Sequence, residues 1–168
     1  MASGAAEDTG PSRPALLCFD GSEDATAAIG QAGAVLGLRR AVVLTVWEPF
    51  ATWEPYDPAT ILSAPLGKLA SRALDLDEIT RELAEEKLKR GLALAAAAGF
   101  AAEGRTAQGK PWRTICDVAK EIDAAAIVLG ARGLSRVESV LLGSVSSAVA
   151  AHAKRPVLIV PLAREGRG

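Results

Sequence analysis

Apolar residues along this chain fall into short blocks separated by longer stretches of helical periodicity. Ala15–Phe19 (ALLCF) is an apolar run closed by a turn, which predicts a strand buried on both faces. Asp20, Gly21 and Ser22 end it, and Ser22 is a helix N-cap with Glu23 and Asp24 in the first turn. Ala25, Ala28, Ile29, Ala32 and Leu36 then recur at helical spacing until Gly37 closes the helix. Ala41–Trp47 (AVVLTVW) is rich in β-branched residues and predicts a second strand.

From residue 48 to about residue 73 the periodicity breaks, with Pro49, Pro55, Pro58 and Pro65 interleaved with Phe50, Trp53 and Tyr56. This 48–73 insertion reads as a surface segment, a lid or an interaction arm. A long helix is predicted from about Leu74 to Ala98, with Ile79, Leu83 and Leu94 on one side and Leu88 and Leu92 roughly opposite. Ala101–Ala107 reads as a more polar strand. Gly109-Lys110-Pro111 opens a helix striped with Ile115, Val118, Ala119 and Ile122. A buried strand at Ala124–Leu129 leads into GARGLSRVESVLLGS (130–144), then a helix from about Ser144 to Ala153. Val157–Val160 is the last strand, held between Pro156 and Pro161.

Apolar strands alternating with amphipathic helices predict an α/β fold: a doubly wound, five-stranded parallel sheet, Rossmann-like, with helices on both faces. One domain is expected over residues 14–162, between a disordered tail at 1–13 and a short tail at 163–168. Prolines at both ends of the final strand place it at an edge. An apolar VLIV edge invites a partner strand, so a homodimer through Val157–Val160 is expected.

Composition narrows the function classes. The formal net charge of −1 over 168 residues leaves no global field to recruit nucleic acid or an anionic membrane. No apolar run approaches the roughly 20 residues of a membrane helix, and the N-terminus lacks the pattern of a signal peptide. A cytoplasmic location is therefore expected, with Cys18 and Cys116 as buried free thiols. A single histidine argues against a dedicated zinc site, and His152 reads as a packing or capping residue beside Val145 and Val149.

Candidate chemistry gathers where strand ends meet helix starts: Asp20-Gly21-Ser22, Val46-Trp47-Glu48 and the segment from Gly130 to Ser146. In the last of these, Gly130, Gly133 and Gly143 allow tight exits, positive φ or close backbone approach. The helix start at Gly143 exposes amides that attract phosphate, the Ser144 and Ser146 hydroxyls add hydrogen bonds, and Arg132 and Arg136 offset charge. Taken alone, the same residues also read as turn glycines and a serine cap. The GxxxxGK[ST] and GxGxxG patterns are both absent, which disfavours a P-loop NTPase and a standard dinucleotide-binding domain.

The spacing of GARG, nine residues and then GS, with its strand before and SVSSAVAAHAKRPVLIV after, resembles the nucleotide-binding signature of the universal stress protein family. ALLCFDGSEDA (15–25) resembles that family's opening strand, acidic turn and first helix. The resemblance implies an adenine-nucleotide site built from Asp20, Val46, Gly130, Ala131, Arg132, Gly133, Arg136, Gly143, Ser144, Val145 and Ser146. It implies ATP, or AMP or ADP, as ligand, with Mg²⁺ near the phosphates at Asp20. It also implies a homodimeric, nucleotide-dependent regulator of the stress response, with at most slow hydrolysis. Two other readings stand beside it: a nucleotide-independent interaction module, and an ATP-splitting hydrolase of related fold. FDGSEDA lacks the paired glycines of the SGGxDS loop that such hydrolases use.

Overall fold

The computed structural model describes residues 13–37, 40–49, 66–133 and 142–162. Strand β1 (Ala15–Cys18) leads through helix α1 (Glu23–Leu36) to β2 (Arg40–Trp47), and helix α2 (Leu66–Ala97) connects β2 to β3 (Ala101–Gln108). Helix α3 (Pro111–Glu121), β4 (Ala126–Gly130), helix α4 (Ser144–His152) and β5 (Val157–Val160) complete the chain. All neighbouring strands pair in parallel, in the order β3-β2-β1-β4-β5. The expected five-stranded, doubly wound sheet is what forms, with β5 at one edge. Winding runs outward one way from β1 through β2 and β3, and the other way from β4 to β5. The two directions part between β1 and β4, which is where such sheets open a crevice.

Alternation along β1 sorts its residues between two cores. Ala15, Leu17 and Phe19 pack with Ala25, Ala28, Ile29 and Ala32 of α1 and Ala95 of α2. Leu16 and Cys18 face the other way, toward Ile115, Val118 and Ala119 of α3 and Val149 of α4. Helices thus cover both faces, and β1 is buried along its whole length. Among the described residues, no helix is long and apolar enough to cross a membrane.

Two element boundaries differ from the sequence expectation by more than one residue. Helix α2 starts at Leu66 rather than near Leu74, so residues 66–73 of the expected 48–73 insertion are helical; residues 50–65 lie outside the described residues. The run LGKLASRAL after Pro65 holds good helix formers and no further proline, so nothing stops the helix from extending back to it. Strand β4 begins at Ala126, because Ala124 and Ala125 belong to the connection. The Ala124 amide donates to the Ala119 carbonyl and the Ala125 amide to the Pro14 carbonyl, each at 2.9 Å. A run of alanines carries no periodicity by which to divide helix end from strand start.

The face that α2 turns to the sheet is made of small residues, Ala84, Gly91 and Ala95, flanked by Leu88, Leu92 and Leu94. A Cβ on Gly91 would stand 2.9 Å from Val43 Cγ1 and 3.0 Å from Phe19 Cδ1, so the helix seats there only with glycine. Leu94 therefore joins the Leu88 side, while Ile79 and Leu83 stay exposed.

Candidate functional site

Strand β1 stops pairing with β2 at Cys18–Leu44, and the last bond between them runs from the Phe19 amide to the Leu44 carbonyl at 2.9 Å. Backbone groups of alternate residues along a strand point to alternate neighbours. Trp47 accepts from Gly109 on the β3 side at 2.9 Å, so Val46 turns its amide and carbonyl toward the gap that β1 has left. The chain leaves β1 through a tight turn, where the Ser22 amide donates to Asp20 Oδ1 at 2.9 Å and Gly21 takes φ +91°. Ser22 then caps α1, its Oγ accepting from the Ala25 amide at 3.1 Å.

Across the crevice, β4 ends at Gly130. A Cβ on Gly130 would fall 2.6 Å from the Asp24 carbonyl carbon and 2.7 Å from the Ala25 nitrogen. Glycine is required here by the seating of α1 on the strand. Gly133 makes a different close approach: a Cβ there would lie 2.8 Å from Asp20 Oδ2, and that carboxylate would have to shift. Neither residue has positive φ, and nor does Gly143, which is extended at φ −67° and ψ 162°. Of the options that the sequence left open for these glycines, close approach is the one that Gly130 and Gly133 use.

Gly143 is the N-cap of α4 and brings no side-chain cap to it. Its own amide donates to the Ala131 carbonyl at 2.7 Å, and its carbonyl accepts from Ser147 at 3.0 Å. The amides of Ser144, Val145 and Ser146, in the first turn, have no partner within the helix. With the partial positive charge of the helix terminus, they form a ready anion site at the crevice. Ser146 is buried, and its hydroxyl donates to the Gly130 carbonyl at 2.8 Å, so that proton is committed to the fold. The backbone amide of Ser146, rather than its hydroxyl, is the donor left for a ligand.

A cavity of about 600 Å³ joins these groups. One part is apolar, walled by Cys18, Leu44, Val46, Ile115 and Leu129; the other holds Asp20, Gly130, Arg132, Gly133, Gly143 and Ser144. The division into an apolar slot and a polar, amide-rich end is the usual anatomy of a small-molecule site. Burial pushes the Cys18 thiol far up, helped by Cys116 and Asp20, so it lines the cavity as a neutral, apolar group. His152, which the sequence marks as a packing residue, packs against Trp112 with ring centroids 4.8 Å apart and planes tilted by 37°, and places Nδ1 2.8 Å from the Ala148 carbonyl.

Of the residues expected at the site, Asp20, Val46, Gly130, Arg132, Gly133, Gly143, Ser144, Val145 and Ser146 all line this one cavity. Ala131 is buried beside it and accepts from Gly143, and Arg136 lies outside the described residues. Arg132 carries a partner that the sequence did not suggest. Its amide donates to Asp24 Oδ2 at 3.1 Å, and its Nε stands 3.6 Å from the same oxygen. Glu48 also lines the cavity, just beyond Val46.

Comparison with known proteins bears on the fold and the family. The family model described as the universal stress protein family matches residues 11–161. The universal stress protein YxiE of Bacillus subtilis is 41% identical over 88 residues, which is 51% of this chain and 60% of that protein. This chain thus matches rather less than two thirds of that relative's length. A universal stress protein of Thermus aquaticus is 32% identical over 147 residues, 86% of this chain and 96% of the relative. Among solved structures, a universal stress protein in complex with cAMP superposes with a TM-score of 0.57 at 25% identity, covering 89% of this chain and 96% of that one. With the sheet order and the glycine–serine loop in place, a family match over nearly the whole length leads to one conclusion: this chain belongs to the universal stress protein family.

Proposed function

We propose that this protein binds an adenine nucleotide, ATP or its AMP and ADP relatives, in the cavity between β1 and β4. The bound nucleotide then biases dimer or partner contacts in the stress response. The observation that carries the reading is the uncapped start of α4, opening into a cavity whose other end is apolar. The phosphates take the free amides of Ser144, Val145 and Ser146, and the base takes the slot beside Leu44 and Ile115, with the Val46 backbone at its edge. The solved relative in complex with cAMP supports an adenine ligand in this fold. Denaturing protein purified without added ligand, and identifying what is released, tests it. Adenine nucleotide in the released fraction, or binding on direct titration, is expected; neither at millimolar nucleotide contradicts it.

Asp20 fits a role beside Mg²⁺. One of its oxygens accepts from the Ser22 amide, and the other faces the loop at Gly133. A single carboxylate with one oxygen turned to the phosphate end suits an ion held mainly by phosphates. Mg²⁺ would supply charge neutralisation there and permit slow hydrolysis.

The dimer reading rests on β5, an apolar edge strand whose Val157, Leu158 and Ile159 are only half-buried. Changing Ile159 to lysine should yield a folded monomer by analytical ultracentrifugation, and an unchanged dimer would refute that contact. A nucleotide-independent interaction role draws support from the exposed Leu76, Ile79 and Leu83 on α2. If that reading is right, polar substitutions on this stripe should abolish partner capture while nucleotide binding persists.

A further inference from the structure

Arg132 is the one cation among the described residues lining the cavity, and its charge is already engaged. Asp24 holds it twice through one carboxylate oxygen, at the backbone amide and beside the guanidinium. The Arg132 and Asp24 side chains are only 18% and 11% exposed, so water screens the pair weakly. The closeness is built into the fold. Gly130 lets the backbone of Asp24 and Ala25 press onto the exit of β4, and that contact seats the carboxylate under the loop. Asp20 and Glu48 also line the cavity, so a phosphate group entering here meets fixed negative charge as well as helix amides.

We propose that Asp24 is a positioning and specificity-determining residue for the nucleotide reading above, on which this inference rests. Through the amide it fixes where Arg132 stands, and through the ion pair it masks the arginine's charge. A ligand phosphate gains less from a masked arginine than from a free one, and the loss grows with the number of phosphate charges. The site therefore favours the triphosphate over the monophosphate less than a free arginine would, and Asp24 is the group that narrows the gap.

The test titrates adenosine, AMP and ATP into the full chain without divalent cation, for the wild type, Asp24→Asn, Arg132→Gln and the double variant. Asparagine keeps an oxygen for the Arg132 amide and removes only the charge. Asp24→Asn should raise ATP affinity relative to AMP by roughly fivefold and leave adenosine within about twofold; the gain should vanish in the double variant. An equal change for all three ligands, no gain for ATP, or a gain that survives loss of Arg132 would overturn the proposal. Should Asp24→Asn fail to fold, the double variant, which leaves neither charge unpaired, decides against the wild type. A masked arginine predicts a change of less than about twofold in the ATP-to-AMP ratio, whereas an unmasked one predicts about tenfold or more. Failure of all three ligands to bind the wild type would remove the nucleotide reading itself, and this inference with it.

Discussion

The Ser146 hydroxyl donates to the Gly130 carbonyl across 2.8 Å, tying the first turn of α4 to the last residue of β4. That bond sets where the free amides of α4 stand relative to the cavity floor. It is also a buried polar contact in an otherwise alanine-rich and apolar neighbourhood.

Ser146→Ala removes the donor and leaves the acceptor behind in a buried place. The expected cost is about 1–2 kcal/mol of stability, read as a lower urea midpoint with an unchanged slope. Nucleotide affinity should fall as well, because the helix start is then less firmly held. An unchanged midpoint would mean that the bond contributes nothing net.

Gly143→Asp should separate stability from binding. The residue already has the extended N-cap conformation, and a Cβ there meets nothing nearer than 3.5 Å. The new carboxylate would accept from the first-turn amides and complement the helix terminus, raising stability by about 0.5–1 kcal/mol. It would also occupy the amides proposed to hold phosphate, so nucleotide affinity should drop by about tenfold or more. A variant that binds as tightly as the wild type would show that those amides are not the phosphate site.

Thr45 lies buried on β2, and among the described residues its hydroxyl has no hydrogen-bond partner. Thr45→Val keeps the branched shape and removes the unpaired group, so stability should rise by about 1 kcal/mol. A loss of stability by the same urea measurement would show that the hydroxyl is satisfied in solution.

Asp123 accepts from Arg13 at 3.0 Å and pairs with Arg155, anchoring the entry to β1 and the approach to β5. Desolvation pushes its carboxyl up, but the hydrogen bonds and charges of Arg155 and Arg13 outweigh it and hold it below the ordinary range. A depressed folded-state value gives stability that is fully present above the unfolded value, about 3.9, and lost as pH falls through the folded one. Wild-type stability should therefore fall on acidification below about pH 4, and Asp123→Asn should flatten that part of the curve. Asparagine tolerates the left-handed φ of +49° at this position, so the comparison leaves the turn intact. Identical acid profiles for the two proteins would contradict the pairing.

The succession of strands and helices, the parallel sheet and the edge place of β5 were legible because most strands are short apolar blocks and the helices carry their own period. What was hidden is long-range. Asp24 and Arg132 are 108 residues apart, and nothing local distinguishes Asp24 from any acid in a first helical turn. Leu44, Ile115 and Cys18 look like ordinary core residues; only the departure of β1 from β2 after Leu44 turns them into the wall of a cavity. Gly130 reads as a phosphate-loop glycine from its spacing, yet its contact is with the backbone of α1. The start of α2 was missed because the prolines up to Pro65 mask the helix-forming run behind them.

The most direct test of the account follows backbone amide resonances of the folded chain by NMR as AMP is added. The account predicts saturable shifts concentrated at Ser144, Val145 and Ser146, with Gly133 and Val46 moving in step. Shifts confined to residues outside this cavity, or none at millimolar AMP, would contradict it.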